Sequence, residues 1–202
     1  MYLNKNVTYT YDGYTYKNFI SLSDDELIMI LGWRNHPDSR KCMNNTTPIP
    51  IEDHLAFCHN LKNRDDVCYW MISKDSQPTG VLDIIDIDYQ KEQCEPGFYL
   101  STDILGRGES IYVLSNYKDF LLNGLGFKGL IGHNYVDNMP AMVFTMFFGG
   151  RVIGHEIKND RLCVKTILTK ETFVNGIGTE RLTAKYARYY REWDNEKFIN
   201  SL

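Results

Sequence analysis

Cys94-Glu95-Pro96-Gly97-Phe98-Tyr99-Leu100, then Leu105-Gly106-Arg107-Gly108-Glu109-Ser110, then an apolar run from Ile111 to about Leu122, decide the fold. The first piece reads as a strand whose Pro96-Gly97 pair should bulge or splay it. The second is a glycine-softened turn, and the third is a helix. Glycines let the backbone turn tightly and approach a ligand with no Cβ in the way. A helix starting there aims unpaired N–H groups and its positive dipole end outward, which suits a pyrophosphate. Arg107 adds charge, while Glu109 in the first turn partly opposes it. The turn is too short for a Walker P-loop and lacks the dinucleotide-binding G-x-G-x-x-G, so a plain glycine turn is the competing explanation.

Downstream, Leu130-Ile131-Gly132-His133 reads as a short strand. Asn138-Met139-Pro140-Ala141 then opens a helix, with Asn as cap and proline in the permissive first turn, ending at Gly149-Gly150. Two strand–helix units side by side would splay and leave a cleft for a long cofactor on free strand-edge groups. Arg151 to Ile157 and Leu162 to Leu168 make a closing hairpin. From Thr179 a last helix carries Leu182, Tyr186, Tyr189 or Tyr190 and Trp193 as an aromatic stripe, for the body or another subunit.

Upstream, Thr8 to Tyr16 is β-branched and aromatic around Asp12-Gly13, a hairpin signal. Ser23-Asp24-Asp25-Glu26 has capping-box spacing ahead of Leu27, Ile30, Leu31 and Trp33-Arg34, and His36-Pro37 closes that helix. A second helix is expected from about Ile51 to Lys62, with Leu55, Cys58 and Leu61 on one face. Cys68 to Ile72 and Gly80 to Ile87, joined by Lys74 to Thr79, read as an antiparallel hairpin. The order β-β-α-α-β-β-β-α-β-α-β-β-α predicts a mixed α/β (α+β) fold, a twisted central sheet flanked by helices. One domain is expected over residues 1–175, with the Tyr-rich hairpin 1–20 joined to it and a helical extension over 176–202.

The chain has 202 residues, 43% of them apolar and 13% aromatic, enough for a packed core. A net charge of -4 argues against a general nucleic-acid binder. Five cysteines form no C-x-x-C pair, which fits reduced thiols better than disulfides or a zinc site. No apolar run approaches the ~20 residues that span a bilayer. Met1 to Asn6 lacks the apolar core of a signal peptide. A soluble cytoplasmic protein without a metal is the expectation.

Gly106-x-Gly108 after the Cys94–Leu100 strand, Asn138-x-x-Ala141 and Gly149-Gly150 resemble the acetyl-coenzyme-A signature of GNAT-fold acetyltransferases. Trp33-Arg34-Asn35-His36-Pro37, Glu52-Asp53-His54-Leu55-x-Phe57, Gly80-Val81-x-Asp83 and Cys94-Glu95-x-Gly97-x-Tyr99 resemble one branch. That branch N-acetylates nucleotide-linked amino sugars, closest being acetylation of a UDP-linked 4-amino-dideoxy sugar in pseudaminic acid biosynthesis. The resemblance covers roughly Ile20 to Lys170. It implies a GNAT sheet with acetyl-CoA between two splayed parallel strands ending near Tyr99 and His133. Tyr99 and Leu100 would contact the cofactor, and backbone amides of Leu105, Gly106, Arg107, Gly108, Glu109 and Ser110 would hold its pyrophosphate. Asn138 and Ala141 would face the pantetheine arm.

Two departures from the family pattern are visible. Asp103 stands where members often carry Gln or Arg, a tolerable change if the phosphate contacts are main-chain. Thr145 stands where many members have the tyrosine that protonates the leaving thiolate, which threonine does not do at neutral pH. Tyr135 or solvent would then serve.

Direct transfer needs a neutral amine, a polarised thioester carbonyl and both substrates in line. His54 is the first candidate base: the resembling enzymes have a histidine there, and Glu52 and Asp53 beside it would raise its pKa. A solvated helix histidine is the alternative. Glu95 is the second candidate, against a cross-strand ion pair. Arg34 and His36 would bind a diphosphate, or else simply favour a helix C-terminus. Phe57, Tyr99 and Trp70 would stack on a base, or else fill the core. Asp83 points at substrate or lies on an exposed face, and Cys94 is packing. The acceptor is a small molecule, with a homodimer among the expectations. The rivals are acetylation of a protein N-terminus or small amine, a non-catalytic acyl-CoA-binding module, and an unrelated α/β binding protein.

Overall fold

Asp12 and Gly13 both adopt positive φ, 44° and 78°, which two-residue hairpin turns of this twist require. They join β1 (Tyr9–Tyr11) to β2 (Tyr14–Asn18), antiparallel with Tyr11 opposite Tyr14. The computed structural model describes residues 1, 3–40, 43, 45–104, 108–158 and 160–202. Ser23 then caps α1 (Asp24–Asn35) in a complete capping box: its hydroxyl accepts from the Glu26 amide, and Glu26 accepts from the Ser23 amide. Such a cap is worth about 1 kcal/mol. The helix ends at His36, as the following proline dictates, and a one-turn helix α2 (Pro37–Arg40) follows. Helix α3 (Ile51–Asn60) runs into a tight turn at Leu61–Asn63.

Strands β3 (Cys68–Lys74) and β4 (Gln77–Asp88) pair antiparallel. Their connection is shorter than the expected Lys74–Thr79 loop. Asp75 and Ser76 turn the chain alone at φ 50° and 63°, without a glycine. After β5 (Gln93–Leu100) come α4 (Glu109–Asp119) and a wide helical turn over Phe120–Gly124. Then follow β6 (Gly129–Tyr135), α5 (Met139–Phe147), β7 (Arg151–Lys158) and β8 (Arg161–Leu168). The single expected C-terminal helix is two, α6 (Leu182–Glu192) and α7 (Asn195–Ile199). The Asp194 side chain caps the second by accepting from the Lys197 amide at 2.9 Å.

The chain divides into two compact units, Tyr2–Ile87 with Pro96–Ser110, and Met1, Asp88–Glu95 with Ile111–Leu202. In the first the strand order is β1-β2-β3-β4 and then the latter part of β5. Its core holds Phe19, Leu27, Ile30, Cys58, Leu61, Val67, Met71 and Val81. Gly80 leaves no room for a side chain, since a Cβ there would sit 2.7 Å from the Tyr99 carbonyl oxygen on β5. In the second unit the order is the start of β5, then β6-β8-β7. The β5–β6 pair is parallel, Gln93↔Gly129 and Cys94↔Leu130, and β8 runs antiparallel to β6 and β7. The aromatic stripe of α6 packs on α5 as the spacing predicts: Tyr186 meets Phe144 and Phe147 edge-on, and Tyr189 meets Phe147. Among the described residues, no helix is long and apolar enough to cross a membrane.

Candidate active site

In the first unit, His54 lies on the face of α3 that carries Cys58 and is only 5% exposed. Its Nε2 is 3.0 Å from the Leu27 carbonyl oxygen of α1. A carbonyl only accepts, so Nε2 carries the hydrogen and Nδ1 keeps the lone pair. Burial lowers the imidazole pKa. The Leu27 bond opposes that shift, and the nearby Arg34 charge adds to it. This corrects the expected effect of Glu52 and Asp53: desolvation decides the direction, and the ring is neutral near pH 7. Cys58 Sγ is 3.6 Å from Nε2, but burial pushes this thiol up to about 12, so the two form no thiolate–imidazolium pair.

His54 and Phe57 line a cavity of 460 Å³ together with Asn45, Thr47, Ile49 and Asp53. Asn35 pins one wall: its amide donates to the Ile49 carbonyl and its side-chain oxygen accepts from the Ile49 amide, both at 2.9 Å. The sequence pattern gave no cue to that role. Arg34 donates through Nη2 to the Asn45 carbonyl at 3.1 Å, while its Nη1 is buried with no hydrogen-bond partner among the described residues. Burial and then the Asp83 carboxylate raise the pKa of both Tyr69 and Tyr99, and Arg34 opposes this in each. Arg34, His54, Cys58, Tyr69, Asp83 and Tyr99 therefore form one electrostatic neighbourhood. Gly97 lies beside it, and a Cβ there would come within 2.6 Å of Asp83 Oδ2 and push that carboxylate aside.

Other expected residues are placed differently. Phe57 is 41% exposed, edge-on to Tyr69 at 5.4 Å. Trp70 is fully buried against Tyr16, so it is core and offers no stacking face. His36 stays local, its Nδ1 accepting from the Asp38 amide at 3.3 Å. Asp103 also stays local: it accepts from the Ser101 hydroxyl at 3.3 Å. Leu105, Gly106 and Arg107 lie outside the described residues. Next to them Gly108 holds φ 77°, a conformation that favours glycine, directly before the Glu109-Ser110 start of α4. Leu100 is buried at the end of β5.

In the second unit, Glu95 Oε2 lies 2.6 Å from His133 Nδ1 on β6. His133 was not among the expected site residues. Thr145 on α5 accepts weakly from Asn134 at 3.5 Å. Gly150 packs on it so closely that a Cβ would meet Thr145 Cγ2 at 2.7 Å. The Tyr135 ring is covered by the Arg161 guanidinium 3.8 Å from its centre, and Asp137 holds that guanidinium. Asn138 occupies the N-cap of α5 through its backbone, which accepts from the Ala141 amide at 3.1 Å, while its side chain makes no capping bond. Cys94 is buried, which pushes its thiol up, as packing requires. Cys58, Cys68, Cys94 and Cys163 are free thiols. Among the described residues, no group of three His, Cys, Asp or Glu side chains is placed to hold a metal ion.

No family model matches the chain. Two curated proteins of Campylobacter jejuni, each named acetyltransferase PseH (serotypes O:2 and O:23/36), are 32% and 33% identical to it over 126 residues. The match spans 62% of this chain and 77% of each relative. The solved structure of C. jejuni N-acetyltransferase PseH in complex with acetyl coenzyme A superposes with a TM-score of 0.60. It is 21% identical and covers 78% of this chain and 99% of that one. Spermidine N-acetyltransferase from Vibrio cholerae, in complex with CoA and spermine, gives a TM-score of 0.67 at 13% identity over 79% of this chain and 97% of that one.

Proposed function

Because the chain belongs to the GNAT N-acetyltransferases, in the family of the PseH acetyltransferases, we propose that it moves acetyl from acetyl-CoA directly to the amine of a nucleotide-linked amino sugar. The observation that carries this is the identity to named acetyltransferases over 77% of their length. The backbone supports it: Gly108 at positive φ, ahead of α4, exposes first-turn amides to a pyrophosphate. The Asn138 side chain, which makes no capping bond, is available to the pantetheine amides.

The acceptor's ammonium must lose a proton before it attacks. His54 suits that step because it is neutral, carries its lone pair on Nδ1 and lines a cavity. Arg34 would supply the positive charge for the diphosphate, and Phe57 offers an exposed ring face for the base. Tyr99, Leu100 and the run Leu105 to Ser110 remain the proposed cofactor contacts. A cytoplasmic setting follows from acetyl-CoA as donor. The homodimer is supported by the exposed Ile153 and Ile157 of β7, the last strand in its unit's order.

The test is coenzyme A thiol release from acetyl-CoA with three acceptors: a UDP-linked 4-amino-dideoxy sugar, spermidine and an N-terminal peptide. Release with the sugar at the highest kcat/KM supports the reading. A preference for spermidine or peptide replaces the acceptor. Coenzyme A binding without release on any of them makes the protein a sensor, the reading Thr145 would favour.

A further inference from the structure

The parallel β5–β6 ladder covers two residue pairs, Gln93↔Gly129 and Cys94↔Leu130. Continued, it would set Glu95 against Ile131. The Glu95 carboxylate instead reaches diagonally along β6 to His133, with Oε2 2.6 Å from Nδ1. This is the length of a strong, charge-assisted hydrogen bond. It puts the hydrogen on Nδ1 and leaves the lone pair on Nε2. Both side chains remain reachable, at 31% and 23% exposure. A base held in one tautomer by a carboxylate, with its second nitrogen free to act, is the arrangement proton-transfer sites use.

The neighbours leave this task open. Thr145 does not ionise near neutrality, and its hydroxyl faces Asn134. Tyr135 is covered by the Arg161 guanidinium. From β8, Lys165 stands directly opposite His133 and Cys163 two residues along, and from β7 Glu156 stands opposite Cys163. With Glu95 on β5, these are the charged and titratable groups that the strand pairing sets beside the ring among the described residues, and none of them is a second imidazole.

We propose that His133 is a catalytic proton carrier of the transfer and that Glu95 is its positioning residue. This rests on the acetyl-transfer reading above and goes past it by assigning the proton's path. As the bond from nitrogen to the acetyl carbon forms, His133 Nε2 takes the proton that the attacking nitrogen sheds. As the carbon–sulfur bond breaks, His133 returns that proton to the leaving sulfur. One proton moves from nitrogen to sulfur, the imidazole ends as it began, and Glu95 neither takes nor gives a proton. A histidine fits because its ordinary pKa lies near working pH, below that of a free thiol.

The test compares wild type, His133→Gln and Glu95→Gln with acetyl-CoA and a UDP-linked 4-amino-dideoxy sugar. Coenzyme A binding by thermal shift serves as the folding control. His133→Gln should lower kcat by about 100-fold or more with the KM for acetyl-CoA unchanged. Glu95→Gln should lower it less and move the acidic limb of the kcat–pH profile. In a His133→Ala variant, added imidazole should restore part of the rate. A His133→Gln enzyme that keeps kcat within about threefold and the same pH limb overturns the proposal. Should wild type ignore that sugar, the acceptor reading fails separately. Slow hydrolysis of acetyl-CoA then reads the same proton carrier: a drop in His133→Gln sustains the proposal, and equal rates overturn it.

Discussion

His54 and His133 each sit beside one close acceptor atom, yet the two surroundings make different groups of them. His54 is buried, bonded to the Leu27 carbonyl, and its pKa is lowered by desolvation. Its hydrogen bond ties α3 to α1, so any chemical role is added to a structural one. His133 faces a carboxylate at 2.6 Å and keeps about a third of its surface. There the carboxylate orients a ring that solvent still reaches. The partner and the depth, not the residue type, decide what an imidazole does.

The largest effect should separate the two by stability. His54→Ala removes a buried hydrogen bond to the Leu27 carbonyl and opens a void between α3 and α1, so urea denaturation should show a loss of about 2–3 kcal/mol. His133→Ala should stay within about 0.5 kcal/mol of wild type. Equal losses would erase the distinction.

A change away from both histidines sharpens the contrast between site and scaffold. Gly108→Val meets φ 77° at the start of α4 and should weaken acetyl-CoA binding about tenfold or more, with urea denaturation showing a native-like transition. Unchanged affinity by calorimetry would take this corner out of the cofactor site.

Acid should act on His54 through folding. Its folded pKa lies below the ordinary 6.5, so the unfolded chain binds more protons between the two values. The stability it gives is complete above about pH 6.5 and is lost as pH falls toward the folded value, with a slope of at most about 1.4 kcal/mol per pH unit. Glu26 and Glu92, whose folded pKa values are lowered, act in the same sense only below about 4.5. A His54→Gln variant should therefore lose the slope between pH 6.5 and 5. A slope that persists there belongs to another group.

The smallest effect is a reactivity that should not appear. With its thiol pushed up to about 12, Cys58 should resist iodoacetamide at pH 7.5 in the folded protein, read by peptide mass. Rapid labelling would reveal an imidazolium–thiolate pair and move His54 into the charged class.

The element order was readable because its signals are local. Asp12-Gly13, the Ser23–Glu26 box and the glycine before α4 each encode a backbone geometry within a few residues. The burial of His54 had a signal too: residues 54, 58 and 61 share one helical face, whereas Glu52 and Asp53 project elsewhere around α3. The break between α6 and α7 was announced by Asp194, whose side chain caps the next turn. Trp70 is core because it sits on a strand paired on both sides, with β2 and β4. The Glu95–His133 bond was not readable. It joins residues 38 apart whose meeting depends on how two parallel strands pair. The same holds for Asn35, which recognises Ile49 through backbone atoms alone.

In direct transfer, acetyl passes straight from acetyl-CoA to an amine. Enzyme in excess, mixed with acetyl-CoA labelled in its acetyl group and the UDP-linked amino sugar, then quenched in acid during a single turnover, tests it directly. Label should move from coenzyme A into the N-acetyl sugar with none on the protein. Label trapped on the chain, or remaining on coenzyme A throughout, would contradict it.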